Sequence, residues 1–250
     1  MAKHRFYLPA PSWDLENLVL GGEEAHHCLD VMRCREGDRV IAFNGTGTEV
    51  EAEILATAKG SVTLQTKLVS ETPRPPARIT LAQAVPKGKN MDLIIQKATE
   101  LGVSVIAPLL SERTVVQLDG EDLEKRRQKW QRIAIEACKQ CGQNWVPEVR
   151  TPMKVEAFAR QSRDPLKLIA AISPEARNLK TILAARGEEN GPPPDAASLM
   201  IGPEGDFTPA ELSQARSFGF APLSLGPIIL RSETAAIYAL SITGHELMGS

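Results

Sequence analysis

Apolar and polar residues alternate in short runs through residues 1–72 of the chain. The stretch "DRVIAFNGTGTEVEAEILATAKGSVTLQTKLV" carries this pattern, and the turn-forming segments "NGTGT" and "AKGS" interrupt it. A period of two that is broken by glycine-containing turns is typical of β-hairpins, so this region predicts a small β-barrel. Before it, "GGEEAHHCLDVMR" predicts a short helix that begins after two glycines.

A proline-rich segment, "ETPRPPAR", follows the predicted barrel. Prolines hold the backbone extended, and such segments often serve as stiff connectors between domains. The sequence therefore predicts an N-terminal domain at residues 1–72, a linker at 73–77 and a second domain at 78–250.

Beyond the linker, the pattern changes to an alternation of strands and helices. Apolar runs predict strands at "RITLAQAV", "VSVIAPLLS", "LKLIAAI", "ASLMIG" and "APLSLG". Amphipathic stretches predict helices at "GKNMDLIIQKATELG" and "GEDLEKRRQKWQRIAIEACKQCG". This alternation predicts an α/β domain whose mostly parallel sheet is covered on both faces. Ligands bind such sheets beside the carboxyl ends of the strands, which directs attention to the loops after Ile201 and Leu225.

The composition is that of an ordinary globular protein, with 42% hydrophobic, 24% charged and 4% aromatic residues. No run approaches the roughly 20 consecutive apolar residues that a membrane helix requires. The opening "MAKHRFYLPAPSW" also lacks the apolar core of a signal peptide. We therefore expect a cytoplasmic protein.

The net charge of −2 does not indicate a polyanion partner for the chain as a whole. Residues 73–150 alone are net positive, with 13 Lys+Arg against 9 Asp+Glu. The excess lies largely in "VPKGKN" and "EKRRQKWQRIAIEACKQ". These segments are either a local phosphate-facing surface or solvated helix faces, and charge alone does not decide between the two.

Cysteine and histidine are the residues that would suggest a metal site. The cysteines are Cys28, Cys34, Cys138 and Cys141, and the last two fall inside a helical apolar pattern. We therefore predict helix-packing thiols with no metal and no disulfide. His26 and His27 have no third ligand nearby, so partial burial on a short helix is expected for them.

The first candidate loop is Gly202-Pro203-Glu204-Gly205, which follows the predicted strand "SLMI". Thr208 and Glu211 then predict a capping box at the start of a helix. The glycines permit positive φ and close approach of a ligand to the main chain, although an ordinary turn explains them too. The spacing matches neither a dinucleotide fingerprint nor a P-loop, and Glu204 would repel a phosphate.

The second candidate loop is the apolar connector Pro227–Leu230, after the strand "APLSLG". Apolar residues at a strand's carboxyl end suit a flat, neutral ring such as adenine, held by main-chain hydrogen bonds between aliphatic side chains. Arg231 would then stand beside the pocket as a fixed cation.

Five motifs in order resemble the RsmE family of ribosomal small-subunit RNA methyltransferases, within the SPOUT superfamily: "QKATELGV", "SERTVV", "WQRIAIEACKQCG", "IGPEGDFTPAE" and "LGPIILRSETAA". The segment "VMRCREGDRVIAFNG" is similar to that family's N-terminal PUA-like barrel. The resemblance implies a C-terminal SPOUT-type trefoil-knotted domain, a homodimer and S-adenosyl-L-methionine as the methyl donor.

The resemblance also implies site residues. Those expected to bind the cofactor are Ile201, Gly202, Glu204, Gly205, Leu225, Gly226, Ile229, Leu230 and Thr234. The chain departs from the family pattern at four positions: Asp206 replaces a common glycine, Ile228 a usual arginine, and Lys139 and Gln143 the more typical Glu and Arg.

The reaction implied is methylation of N3 of a uridine in 16S ribosomal RNA. Uracil N3 carries a proton and must lose it before it can attack a methyl group. Arg231 is the candidate for stabilising the uracil anion, and Glu233 or Glu204 for accepting the proton. Lys87, Lys89 and Arg113, together with the barrel, are the candidates for contacts with ribosomal RNA or the small ribosomal subunit.

Two other functions compete with this one. Ribose 2′-hydroxyl methylation is common in the superfamily, but "ILRSETA" differs from the Asn-containing last motif that such enzymes tend to carry. A non-catalytic RNA-binding assembly factor would retain the barrel with a degenerate cofactor site. The intact glycine and apolar loops argue against that alternative, whereas Ile228 and Gln143 favour it slightly.

Overall fold

The structure, a computed structural model, describes residues 4–114, 120–190 and 194–249, without the side chains of 188–190. The last two residues of the "SERTVV" motif, Val115 and Val116, lie outside the described residues. The chain forms two compact units. The first comprises Met1–Arg74 and Cys138–Val146, and the second comprises Pro75–Ala137 and Pro147–Ser250.

The N-terminal unit is built on one five-stranded sheet. Its strands are β1 (Arg5–Tyr7), β2 (Leu18–Gly21), β3 (Arg39–Phe43), β4 (Thr48–Ala58) and β5 (Ser61–Glu71). They are arranged in the order β1-β3-β4-β5-β2, and every neighbouring pair except β1 and β3 is antiparallel. The predicted hairpins are confirmed, with Gly60 at φ +77° in the turn between β4 and β5.

The predicted helix before these hairpins is also confirmed, as α1 (Gly22–His26) followed by a π-helical turn at His27–Val31. His27 is half-buried and packs edge-on against Phe6, as predicted. The prediction is wrong for His26, whose ring is 69% exposed and pairs with Asp30 at 2.7 Å. His26 and Asp30 are one helical turn apart on the solvent side of the segment, which explains the exposure.

The second segment of this unit, Cys138–Val146, returns to it from the end of a long helix in the other unit. Asn144 fixes the segment, because its Nδ2 donates to Thr72 Oγ1 at 2.9 Å and its carbonyl accepts from the Gly47 amide at 3.1 Å. The indole N–H of Trp145 also donates to the Thr72 carbonyl at 3.1 Å. A position far along the chain therefore completes the N-terminal unit.

The second unit is an α/β domain with a parallel sheet. Its strands are β6 (Arg78–Ala84), β7 (Val105–Leu110), β8 (Glu148–Val149), β9 (Met153–Lys154), β10 (Leu166–Ala170), β11 (Ala196–Ile201) and β12 (Ala221–Leu223). Its helices are α2 (Asn90–Glu100), α3 (Gly120–Cys141), α4 (Val155–Gln161), α5 (Leu179–Asn190), α6 (Pro209–Ser217) and α7 (Ser232–Met248). The strand order is β12-β10-β11-β6-β7-β8, with β9 also paired to β7, and every pair is parallel.

Both faces of this sheet are buried, as the unbroken apolar runs predict. In β6, Ile79 and Leu81 join a core that includes residues of α2, α3 and α7. Ala82 and Ala84 join a second core with residues of α4 and α6. The five predicted strands and both predicted helices are confirmed, since period and length identify such segments well.

The four cysteines are free thiols in the structure. Burial raises the pKa of Cys28 and of Cys138 to about 12, and Cys34 is buried as well. The prediction of a helix-packing thiol is wrong for Cys141, which is exposed. It is the last residue of α3, where the helix ends.

Candidate functional site

A pocket of about 450 Å³ lies at the carboxyl ends of β10, β11 and β12. Three loops line it: the loop after β11, the loop after β12 and a loop after β10. The first two are those that the sequence predicts. The third, which comprises Ala171–Pro174, was not predicted, although it also follows a strand of the same sheet. Its place in the pocket depends on β10 lying between β11 and β12.

The loop after β11 is closed by its own backbone. A Cβ built on Gly202 would lie 3.0 Å from Asp206 Oδ1 and 3.2 Å from the Phe207 amide nitrogen. Gly202 is therefore required for a close approach within the loop. The expectation of positive φ at the glycines is not met, because Asp206 alone in this loop has it, at φ 60°. Aspartate tolerates this conformation, and here its Oδ1 accepts from the Phe207 amide at 2.7 Å.

The predicted capping box immediately follows this loop and is confirmed. The Glu211 amide donates to Thr208 Oγ1 at 3.3 Å, and the Thr208 amide donates to Glu211 Oε2 at 2.9 Å. The start of α6 is therefore fixed beside the pocket by its own first turn.

The loop after β12 presents backbone to the pocket. Gly226 has φ 106°, which favours glycine, and a Cβ there would meet nothing within 4 Å. The amides of Ile228, Ile229 and Leu230 donate to no other group within the part of the chain that the structure describes. Ile228 and Ile229 are 75% and 77% exposed, so the described part of the chain does not cover this apolar loop.

A buried glutamine connects the pocket loops to the centre of the sheet. Gln83 of β6 is fully buried, and its Nε2 donates to Ser232 Oγ at 2.9 Å. Ser232 Oγ in turn donates to the Gly202 carbonyl at 2.7 Å. Gln83 Oε1 has no hydrogen-bond partner in the described chain. Sequence reasoning missed this link because its members are about 30 and 150 residues apart.

The charge of the pocket is acidic. Within the described residues, Glu204 and Asp206 are the only ionisable side chains that line it. The remaining lining is glycine, proline, serine and aliphatic side chains. Such a pocket favours a ligand with an apolar body and a positive charge.

Polar residues form a rim next to the loop after β11. The Lys87 amide donates to Glu204 Oε1 at 3.1 Å, and an Arg113 guanidinium N–H donates to the Gly205 carbonyl. The side chains of Lys87, Lys89 and Arg113 are exposed. The predicted RNA-binding residues Lys87 and Arg113 therefore both contact the loop that lines the pocket.

Arg231 is the N-cap residue of α7, and its side chain is exposed. Among the described residues its guanidinium makes no ion pair with Glu204, Glu233 or any other carboxylate. An ion pair with one of those glutamates was the structural alternative to a functional Arg231. The Glu233 carboxylate instead accepts from Asn90 Nδ2 at 3.4 Å.

The predicted site residues divide into two groups. Those that line the pocket are Ile201, Gly202, Glu204, Leu225, Gly226, Ile229 and Leu230. Gly205, Thr234, Arg231 and Glu233 adjoin lining residues in the chain without lining the pocket themselves.

Two of the four departures from the family pattern are accounted for by contacts in the N-terminal unit. The ammonium of Lys139 forms an ion pair with Glu24, and its side chain is 7% exposed. Gln143 Oε1 accepts from the amides of Asn144 and Trp145 at 3.0 and 3.2 Å. Both residues therefore hold the returning segment. Ile228, in contrast, lines the pocket and replaces a positive charge with an apolar side chain.

Other kinds of site find no counterpart in the described chain. No group of three or more His, Cys, Asp or Glu in residues 4–114, 120–190 and 194–249 could hold a metal ion. No helix in that same part is long and apolar enough to cross a membrane.

Comparison with known families gives matches across both units. Residues 73–244 match the RNA methyltransferase domain family, and residues 20–67 match the RNA methyltransferase PUA domain family. The chain is 33% identical to ribosomal RNA small subunit methyltransferase E of Bacillus subtilis, over 90% of this chain and 88% of the relative. It is 35% identical to the protein of the same name from Synechocystis, over 93% of this chain and 74% of the relative.

Two solved structures are similar over almost the whole chain. A putative methyltransferase from Legionella pneumophila, in complex with bound S-adenosylmethionine, has a TM-score of 0.87 and 37% identity and covers 98% of both chains. Ribosomal RNA small subunit methyltransferase E from Neisseria gonorrhoeae, bound to S-adenosylmethionine, has a TM-score of 0.84 and 32% identity and covers 97% of both chains.

Proposed function

We propose, because this chain belongs to the ribosomal RNA small subunit methyltransferase E family, that it methylates N3 of a specific uridine in 16S ribosomal RNA. S-adenosylmethionine is the methyl donor. The observation that carries the proposal is the acid-lined, apolar pocket at the carboxyl ends of β10, β11 and β12. Its volume of about 450 Å³ is typical of small-molecule sites.

The pocket fits S-adenosylmethionine on three counts. The aliphatic residues after β12 suit an adenine ring, as do the amides of Ile228–Leu230, which have no acceptor among the described residues. Glu204 and Asp206 supply negative charge for a ligand that carries a sulfonium and an ammonium. Gly202 and Gly226 keep both loops free of side chains that would fill the space. The remaining predicted cofactor residues, Gly205 and Thr234, would act from beside the pocket.

When bound, the cofactor supplies an electrophilic methyl group. The residues of the chain then have two tasks at the uracil ring. Arg231 presents a planar set of donors without a carboxylate partner in the described chain, so it is available to the negative charge that develops on the uracil oxygens. We assign it that stabilising role.

The second task is removal of the N3 proton by a carboxylate. Glu233 accepts only from Asn90, through Oε2, and Glu204 accepts only from the Lys87 amide, through Oε1, among the described residues. Each therefore retains an oxygen that can accept a proton. We assign Glu233, in the first turn of α7, as the base, with Glu204 as the alternative.

RNA contacts are assigned to the rim and to the N-terminal unit. Lys87, Lys89 and Arg113 are exposed, and Lys87 and Arg113 contact the loop after β11, where phosphates flanking the target uridine would pass. The match of residues 20–67 to an RNA methyltransferase PUA domain supports RNA binding by the first unit. We retain the domain limits 1–72, 73–77 and 78–250 as part of the proposal.

The proposal extends to the finer architecture. Phe6 of β1 and Leu18 and Leu20 of β2 share one core, which supports closure of the first sheet into a PUA-like barrel. β12 lies at the edge of the sheet, yet Ser232, which follows it in the chain, is hydrogen-bonded to Gln83 of the inner strand β6. Such a path is consistent with a SPOUT-type trefoil knot.

We also propose a homodimer in the cytoplasm. Ile228, Ile229 and Ile172, whose side chains are more than 70% exposed, line the pocket, and a second chain would cover them. Light scattering of the purified chain should give twice its mass of 27.2 kDa, whereas a monomer would contradict this part of the proposal.

The function is tested by incubating the purified chain with S-adenosylmethionine and either naked 16S ribosomal RNA or small subunits from cells that lack the enzyme. Nuclease digestion and mass spectrometry should then show one new 3-methyluridine. A new 2′-O-methyl nucleoside would instead establish ribose methylation. Absence of any methylation, together with no calorimetric signal for S-adenosylmethionine, would favour the assembly factor.

A further inference from the structure

A second cleft, of about 650 Å³, lies in the same unit at the opposite ends of β10 and β12. Pro165, Lys167, Ala221 and Pro222 line it where these two strands begin, and Arg186 of α5 closes one side. Pro174 lines both this cleft and the cofactor pocket, so the loop after β10 separates the two cavities.

Positive charge dominates the second cleft. Its ionisable lining residues within the described chain are Lys167, Arg177, Arg186, Arg216 and Glu175. Arg216 pairs with Glu175 at 2.5 Å. The other three cations have no carboxylate partner among the described residues. Three uncompensated cations that converge on one concave surface repel one another, and an anion relieves that repulsion.

Hydrogen bonds hold the side chains of Lys167 and Arg186 in place, and they hold Arg177 through its backbone. The Arg177 backbone is hydrogen-bonded to the edge strand β12, through its amide to Pro222 at 3.1 Å and its carbonyl to Ser224 at 2.9 Å. Lys167 Nζ donates to the Phe218 carbonyl at 3.0 Å. Arg186 Nη1 donates to the Pro165 carbonyl at 2.8 Å, while its buried Nε has no hydrogen-bond partner in the described chain.

We infer that this cleft binds backbone phosphates of the RNA substrate, on the strand that continues from the target uridine. The inference rests on the proposed function, because that function brings a polyanion to the neighbouring pocket. The two cavities adjoin at Pro174, and β10, whose ends they occupy, is about 13 Å long at 3.3 Å per residue. A stacked single strand covers that length with about four nucleotides at 3.4 Å each. The Lys and Arg side chains would contact phosphate rather than bases, so this contact adds affinity without sequence specificity.

The test compares RNA affinity of Arg177→Gln and of Lys167→Gln/Arg177→Gln with the parent chain, over a range of salt concentrations. The probe is a labelled single-stranded oligouridylate. Arg177 is exposed and its side chain has no partner in the described residues, so its replacement should leave the fold intact. Arg160→Gln is the matched control, since Arg160 is exposed in the same unit and lines neither cavity.

Each lost phosphate contact should lower the slope of log affinity against log salt by about 0.7. We expect the dissociation constant for the oligouridylate to rise about five-fold for the single variant and about 20-fold for the double variant at moderate salt, as for loss of one and two such contacts. S-adenosylmethionine affinity should stay unchanged in both. Equal RNA affinity and slope in Arg177→Gln and Arg160→Gln would overturn the inference.

A free phosphoanion is the competing ligand, and inorganic phosphate probes it. Thermal stabilisation by millimolar phosphate that Arg177→Gln abolishes, with RNA affinity unchanged, would also overturn the inference. Failure of the proposed function is recognised separately. If the parent chain binds the oligouridylate through Arg177 but forms no 3-methyluridine, the cleft is an RNA site and the proposed methyltransferase function is wrong. If the parent chain forms 3-methyluridine and Arg177→Gln leaves RNA affinity unchanged, the proposed function is correct and the RNA-binding role of the cleft is wrong.

Discussion

The two cavities of the α/β unit share strands and differ in charge. The pocket at the carboxyl ends of β10 and β12 is lined by two carboxylates and no cation, whereas the cleft at their other ends is lined by four cations and one carboxylate, within the described chain. The first matches a positively charged cofactor and the second a phosphate backbone. A net charge of −2 for the whole chain conceals this separation.

The difference also lies in what each cavity is made of. The cofactor pocket is formed mainly by loop backbone, with glycine and proline at the turns, so its shape depends on conformation. The basic cleft is formed by long side chains on β10, α5, α6 and the segment that forms a bridge to β12 at Arg177. Changes of backbone conformation should therefore affect the first cavity, and changes of charge should affect the second.

The largest effect is expected for Arg231→Lys, which tests whether the planar donors of Arg231 serve turnover or hold the cofactor. Lysine retains the charge but loses the planar donors, so turnover should fall about 10²-fold or more. S-adenosylmethionine affinity, measured by calorimetry, should barely change, because Arg231 does not line the pocket. Arg160→Lys is the control. Loss of cofactor affinity with preserved turnover per bound cofactor would show that the acid-lined pocket depends on Arg231.

The next effect is expected for Gly202→Val, which should damage the cofactor pocket and spare the cleft. A side chain at Gly202 meets Asp206 and the Phe207 amide within 3.2 Å, so the loop must move. An overpacking cost of about 1–3 kcal/mol in the binding loop corresponds to a loss of S-adenosylmethionine affinity of roughly 5- to 150-fold. Gly187→Val, at an exposed position with open space, is the control. The contribution of Arg177 to oligouridylate affinity should be unchanged, and a parallel loss of that contribution would mean that the cavities are not independent.

These two tests concern residues, Arg231 and Gly202, that the sequence alone identifies as site residues. The physical cause of this identification is the local pattern around them. The strands around β11 and β6 are continuous apolar runs, and the loops that follow a parallel sheet's strands meet at one edge. The local sequence pattern therefore predicts the α/β class, both pocket loops and the Thr208 capping box.

The remaining features depend on which distant segments of the chain contact each other. The periodicity of apolar residues in the sequence does not encode such contacts. The loop Ala171–Pro174 joins the pocket only because β10 lies beside β12. Gln83 reaches Ser232 across 149 positions, and Cys138–Val146 returns to the first unit from the end of α3. The cations of the basic cleft are spread along the chain from Lys167 to Arg216, so no charge run in the sequence indicates it.

A smaller effect is expected when the pocket loses its acidic charge. In Glu204→Gln/Asp206→Asn, affinity for S-adenosylmethionine should fall about five-fold, as expected for loss of partly screened charge attraction. Affinity for S-adenosylhomocysteine, which lacks the sulfonium charge, should fall less. Calorimetry of both ligands with both chains gives the comparison. Equal losses for the two ligands would mean that the carboxylates contribute shape and not charge.

The smallest effects concern the backbone at Asp206, where this chain departs from the glycine that is common in its family. Asp206 has φ 60° and its Oδ1 accepts from the Phe207 amide. Asp206→Ala loses that hydrogen bond and keeps a side chain in the left-handed region, so it should cost about 1–2 kcal/mol of unfolding free energy. Asp206→Gly relieves the backbone while losing the bond, and it should cost about 0.5 kcal/mol or less.

Asp206→Asn separates the conformational role of Asp206 from its charge, because asparagine also tolerates the left-handed region and keeps an oxygen that can accept from Phe207. Urea unfolding should therefore rank the variants from Ala as the least stable, through Gly, to Asn near the parent. Oligouridylate binding should be the same in all three, because the basic cleft does not include this residue. If Asn were as destabilising as Ala, the negative charge itself would stabilise the loop, and the acidity of the pocket would serve folding as well as the cofactor.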